Sequence, residues 1–216
     1  VTFDAAVIAA VRQVSAKAGL PAESLASLVV GASFDSLRNA RMLRHVPGGR
    51  YWRDVLATSL EFGLPVPASV HTAIELAATA EAAARAKVLI GAGDFLLIRA
   101  QRHVEAGLFR NGSLRHEEFA VLDGAIDPLL IERLADLAEP LLRAGRPQPV
   151  VIWGTTTSND RLLRHDLSAE LRIRGLDVPR FRPSSAGIDA VLTGGLLLAM
   201  AQVRRRARTV DRSLPC

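Results

Sequence analysis

The chain of 216 residues reads as an α/β protein. Three observations predict that class. Amphipathic helical stretches alternate with short apolar runs along the chain, and two hairpin signals follow one another in its middle. A continuous apolar run, Val150-Val151-Ile152-Trp153-Gly154, lies between helical stretches in the last third, where it reads as a buried strand. The order helix, strand, helix, strand, helix there argues for a parallel component in the sheet. With 49% apolar and 23% charged residues the composition is that of a folded domain, long enough for one sizeable core or two lobes.

In chain order, Thr2 or Asp4 caps a first helix with Val7, Ile8, Val11 and Val14 on one face, stopped by Gly19 and Pro21. Leu28 to Ala32 reads as a short buried strand, and 33–49 as a polar loop with a short helical turn. A second helix buries Trp52, Val55, Leu56 and Leu60 and ends at Gly63; the two prolines of Leu64-Pro65-Val66-Pro67 allow only a short or edge strand. The Ala-rich run from Thr72 to Lys87 is helical by propensity.

Phe95-Leu96-Leu97-Ile98 is a strand and Val104, Ala106 and Leu108 alternate along its return partner; Asn111-Gly112 suits the tight turn into a third strand that reaches Phe119, Val121 and Leu122. Asp127-Pro128 starts a helix with Leu130, Leu134, Leu137 and Leu141 on its inner face, ending by Gly145. After the Val150 strand, Thr155 to Asp160 caps a helix running to Gly175, Leu176 to Arg182 is a further strand, and Ser184-Ser185 begins a last helix through Val203. Gly194-Gly195 inside that helix costs roughly 1 kcal/mol per glycine, so another element is expected to pack closely there. Arg204 to Arg208 reads as a frayed basic tail.

The formal charge of +5 comes from 27 basic and 22 acidic residues that are interspersed, which favours a solvated mixed surface over a nucleic-acid footprint. The one cysteine, Cys216, excludes a disulfide framework and a cysteine metal site, and fits a reducing, cytoplasmic setting. The longest uncharged apolar run, Ala190 to Val203, is shorter than the roughly 18 residues of a membrane span, so no membrane partner is expected. The sequence starts at Val1 without Met and goes straight into a helix, from which we expect a fragment of a longer protein.

In pattern and order the chain resembles the ROK (repressor, open reading frame, kinase) family of sugar kinases and repressors. Leu25 to Phe34, Trp52-Arg53-Asp54-Val55 and Gly63-Leu64-Pro65-Val66 look like the family's path from the first-lobe strand through its W-x-x-V helix to its G-x-P-V strand. Val70 to Ala77 sits where the family has Glu-Asn-Asp-Ala-Asn and an Ala-rich helix; Phe95 to Leu114 looks like the start of the second lobe. Val150 to Gly154 and Ala186 to Ala199 look like the nucleotide-side strand and the last helix. The resemblance implies an actin-like (ribonuclease H-like) two-lobed fold whose first lobe is incomplete at the N-terminus. It divides the chain into 1–90 for the first lobe, 91–203 for the second with the last helix packing back, and 204–216 as a basic tail.

Departures from the family's motifs bear on activity. The general base of the family, an Asp, matches Thr72, whose hydroxyl is no carboxylate base, and the preceding sugar ligand matches His71. The Gly-rich phosphate turn falls on Gln101 to Gly107, of which only Gly107 is retained. Side chains at His103 and Glu105 then occupy phosphate space, and Glu105 adds a repelling charge. Trp153 replaces the first Gly of the adenosine-side pair. The first phosphate loop would precede Val1, and the Gly-His-Glu zinc segment is missing between Leu114 and Asp123.

Other constellations are weaker. Gly91-Ala92-Gly93 is a simple turn, since neither the dinucleotide nor the P-loop pattern continues from it. His103 and Glu105 share a strand face that His116-Glu117-Glu118 of the next hairpin can approach, but the spacing is not that of a metal site. Trp153 is better read as core, and Thr155 to Asp160 as a cap that can also meet an anion. Ser33, Ser158 and His165 form no recognisable nucleophile set.

The expected function is therefore a non-catalytic effector-binding or oligomerisation domain of a ROK-type transcriptional regulator, with no catalytic residue, metal or cofactor. Candidate ligand-binding residues are His71, Thr72, His103 and Glu105, for a sugar or sugar phosphate. DNA contact is expected only through a helix-turn-helix absent from this sequence, and a homo-oligomer, a dimer or larger, is expected from the resemblance. Two alternatives stand beside it: a divergent sugar kinase phosphorylating a hexose with ATP, its base supplied by Asp94 or Glu75, and a purely structural association module.

Overall fold

The computed structural model describes residues 2–32, 51–87, 94–100, 103–110, 113–121, 127–143, 151–153, 158–178 and 181–212. They form two compact units, Val1–Ala73 with Gly195–Cys216, and Ile74–Gly194.

In the first unit, α1 (Phe3–Lys17) is followed by a 3-10 turn (Ala22–Ser24), β1 (Leu28–Ala32), α2 (Tyr51–Gly63) and β2 (Ala68–Thr72). Gly19 stops α1 with φ at +68°, and the Gly19 and Leu20 amides donate to Ala16 and Ser15 carbonyls, the closure that a left-handed glycine permits. β1 and β2 pair in parallel, Val30 opposite Val70 and Gly31 opposite His71. One face of this pair buries Val30, Ala32 and Val70 against Leu56 and Leu60 of α2 and the flank of α1. A Cβ on Gly63 would push aside the end of the Ile8 side chain, and Arg12 donates to the Gly63 carbonyl at 3.0 Å. Strand alternation turns Ser69 and His71 to the opposite face. There the final helix α6 (Ala190–Arg212) contributes Gln202.

The second unit contains nearly all of α3 (Ala73–Lys87), then β3 (Phe95–Ala100), β4 (His103–Arg110), β5 (Ser113–Val121), α4 (Pro128–Arg143), β6 (Val151–Trp153), α5 (Ser158–Ile173) and β7 (Arg182–Pro183). Its sheet has the order β5-β4-β3-β6-β7. The hairpins β3–β4 and β4–β5 are antiparallel, whereas β3–β6 and β6–β7 are parallel, the crossover arrangement expected of helices on a sheet. Leu96, Ile98, Val104, Ala106 and Leu108 face the apolar stripes of α4 and α5, including Leu130, Leu134, Leu163 and Leu167. Phe95, Leu97 and Phe109 face α3 and Ala190 on the other side, with the two phenyl rings stacked at 5.2 Å.

Several expectations hold in detail. Asp127 Oδ1 accepts from the Leu129 amide at 3.0 Å ahead of Pro128, and Leu130, Leu134, Leu137 and Leu141 are all buried. A Cβ on Gly194 would overlap the Leu76 carbonyl oxygen, so the glycine lets the α6 and α3 backbones touch. Other expectations are corrected. Val14 is 67% exposed and leaves the α1 face short. The prolines keep 64–67 out of the sheet, Leu64 and Val66 bury as a small cluster with Ala22, and the strand forms after them at Ala68–Thr72. The helix expected from Thr72 begins at Ala73. Among the described residues of the strand proposed over 176–182 only Arg182 pairs with the sheet, together with Pro183 after it. The last helix begins at Ala190, not Ser184, and continues to Arg212 through the arginines taken for a frayed tail. The loop at 33–49 and both hairpin turns lie outside the described residues. Among the described residues no helix is long and apolar enough to cross a membrane.

Candidate functional site

Strands of parallel α/β architecture offer ligands their carboxyl ends, where the chain turns away and backbone groups are open. In the first unit that end is occupied by His71 and Thr72, the last two residues of β2. Alternation sends them to opposite faces. Thr72 is 3% exposed on the face that packs Val70, while His71 is half-buried on the other. His71 Nε2 lies 3.1 Å from Ser69 Oγ, which also accepts from Gln202 Nε2 at 2.8 Å. Ser27 Oγ donates to Gln202 Oε1 at 2.5 Å. His71 therefore stands in the strand, joined through Ser69 to Gln202 of α6. β2 runs directly into α3, whose first turn carries Glu75.

In the second unit, Arg99 near the carboxyl end of β3 stands opposite Glu105 of β4 and donates from Nη1 to its Oε2 at 3.1 Å. Glu105 is 4% exposed. The expectation that His103, Val104 and Glu105 form the turn is corrected: all three are strand residues, and the negative charge of Glu105 is met by Arg99. Gly107 has a packing reason as well, since a Cβ there would come within 2.8 Å of Phe109 and 3.2 Å of Ile74. His103 and Glu105 stand opposite Val121 and Phe119, so strand positions 116 and 118, opposite Leu108 and Ala106, belong to the other face. Among the described residues no group of three His, Cys, Asp or Glu is placed to hold a metal ion. His165 pairs with its neighbour Asp166 at 3.2 Å, and Ser158 begins α5.

A second buried charge was missed in the sequence. Glu81 of α3, 1% exposed, accepts from Arg85 Nε at 3.0 Å, from Ser184 Oγ and the Ser185 amide at 2.8 Å, and from the Ala186 amide at 3.2 Å. The Arg85 guanidinium lies over the Phe95 ring at 4.9 Å. The i, i+4 spacing of Glu81 and Arg85 was legible, but nothing local announced that the pair is buried. The Arg99–Glu105 pair was likewise hidden until the hairpin register was known.

No protein-family model matches the sequence, and no curated protein matches it. Solved structures do. A ROK hexokinase from Thermus thermophilus superposes with a TM-score of 0.53 at 17% identity, over 93% of this chain and 86% of the hexokinase. The fold is ROK-like. A glucokinase from Parabacteroides distasonis gives 0.52 at 14% identity, over 92% of this chain and 87% of that one. An inorganic polyphosphate/ATP-glucomannokinase from Arthrobacter sp. strain KM gives 0.50 at 15% identity, over 92% and 82%. At these identities the likeness establishes the actin-like α/β fold. The expectation of a non-enzyme is corrected by the same finding, because these three structures, which match over nearly the whole chain, are sugar kinases.

Proposed function

We propose that the chain is a divergent sugar kinase, which binds a hexose at the carboxyl end of β2 through His71 and phosphorylates it with ATP. The observation that carries this reading is the fold shared with sugar kinases over 92–93% of the chain. In the reaction a hexose hydroxyl oxygen attacks the γ-phosphorus, the bond to the β-phosphate oxygen breaks to release ADP, and the hydroxyl proton passes to a base. Thr72, buried and without a carboxylate, does not fill that role. We assign it to Glu75, in the first turn of the helix that follows β2. Asp94 is the weaker choice because it precedes β3, at the amino end of the strand, and sits 3.7 Å from Arg110 Nε.

The test is an assay of ADP release by the chain with magnesium-ATP and a panel of hexoses. Hexose-dependent release is expected, reduced about 100-fold or more in Glu75→Gln and little changed in Asp94→Asn. Hexose binding without transfer would leave a sugar-sensing domain, and neither binding nor transfer would defeat the proposal.

A further inference from the structure

The two strands of the first unit leave different outer edges. The Leu28 amide donates to the Pro67 carbonyl at 2.9 Å, which with the parallel register turns the N–H and C=O groups of Leu28, Val30 and Ala32 toward β2. Those of Val29 and Gly31 point away from it, and among the described residues nothing bonds to them. On the far side of β2 the outward amide of Ala68 is taken by Glu61 Oε1 at 2.9 Å, so that edge is closed at its start. Leu28-Val29-Val30-Gly31-Ala32 carries neither the charge nor the proline that blunts an open edge, and Gly31 is exposed. Such an edge is a template for a further strand.

A second observation lies on the same side of the sheet. By alternation Val29 and Gly31 share the face of Ser69, where α6 contributes Gln202. On α6, Leu196, Met200 and Val203 are 58%, 51% and 39% exposed, at the four- and three-residue steps of a single helix stripe.

We propose that β1 is a dimer interface: two copies of the chain pair their β1 edges antiparallel, about a twofold axis between their Val30 residues, into one continuous sheet. In that register Val29 of one copy exchanges both backbone bonds with Gly31 of the other, and the symmetric pair does the same, so every group the two edges leave open is satisfied. A copy's β2 edge is a poorer match, because Glu61 occupies its start. The axis stands perpendicular to the sheet, so both α6 helices lie on one face of the joined sheet, where their apolar stripes add area that a five-residue edge lacks. Since each copy uses the same edge, the contact closes at two copies. It stands whether or not a hexose binds.

Sedimentation equilibrium of the full chain is expected to show a dimer that dissociates on dilution. Gly31→Pro removes an amide that the β1–β2 ladder does not use, and proline is tolerated where its missing N–H faced outward, so the variant is expected to stay folded by circular dichroism and to be monomeric. Met200→Lys, at an exposed helix position, is expected to keep the fold and weaken the dimer about tenfold or more. Hydrogen exchange supplies the readout at the edge itself: the Val29 and Gly31 amides should be slow in the dimer and fast in the diluted monomer. A wild type that is monomeric at every concentration overturns the proposal, whether the two amides are open or covered by another part of the same chain. So does a dimer in which both amides exchange freely, or one that a folded Gly31→Pro leaves unchanged. If Gly31→Pro does not fold, the exchange rates of the wild type decide. Protected amides with Met200→Lys as tight as wild type would overturn the part assigned to α6.

Discussion

Glu81 and His71 are both polar side chains drawn out of bulk water, one in each unit, and their surroundings differ in kind. The Glu81 carboxylate is 1% exposed; one oxygen accepts from Arg85 and the other from Ser184, Ser185 and Ala186. These bonds tie the 184–186 turn to α3. His71 is half-buried at a strand end, where its Nε2 lies beside Ser69 Oγ, which Gln202 joins to Ser27. The first arrangement serves architecture, whereas the second is where we assign the hexose contact.

Breaking the first constellation should therefore cost stability, and breaking the second should cost affinity. The largest effect is expected from Glu81→Ala, which leaves the Arg85 cation 6% exposed without its counter-charge; urea unfolding should register a loss of about 3–5 kcal/mol. His71→Asn, by contrast, should change stability by less than about 1 kcal/mol while weakening hexose binding, as calorimetry can check. Gly194→Ala comes next, at about 1–3 kcal/mol, because the atom it meets is the Leu76 backbone carbonyl and not a side chain that can swing aside. Gly19→Ala meets nothing within 4 Å, and its expected loss of about 1–2 kcal/mol comes from the left-handed backbone alone.

The smallest effect sits at Asp4, whose pKa is lowered first by the hydrogen bond from Ser59 Oγ at 2.5 Å and next by one from Thr2. A folded-state pKa below the unfolded value means that this contribution is present above the ordinary aspartate range and is lost as pH falls through the lowered folded value. Ser59→Ala should thus cost roughly 0.5–1 kcal/mol at neutral pH, and the difference from wild type should vanish at pH values below the folded pKa of Asp4. A mutant deficit that persists unchanged into acid would show that Ser59 acts through packing instead.

Helices with local punctuation were legible in the sequence. Gly19 and Gly175 both close their helices with φ near +68° and +69°, and Asp127-Pro128 opens α4 as its residue types require. The Gly194 contact was legible too, since an unpaid glycine in a helix demands a neighbour. What local pattern could not carry was pairing at a distance. The ends of α6 were misplaced because Ser184 and Ser185, good helix caps by type, are instead used by Glu81, and because the arginines of 204–208 are good helix formers as well as tail-like charges. Of the site, His71 was named from the resemblance, but Ser69 and Gln202 were not, since no spacing rule joins a strand serine to a glutamine on the last helix. Glu105 was read as a charge in a phosphate turn because its partner Arg99 becomes visible only in the β3–β4 register.

The most direct measurement of the central claim is product detection by phosphorus-31 NMR after incubating the chain with magnesium-ATP and each hexose in turn. The account predicts a hexose phosphate resonance growing in step with ADP, with Glu75→Gln slowing it about 100-fold or more. No sugar phosphate with any hexose, in a folded protein, would contradict it.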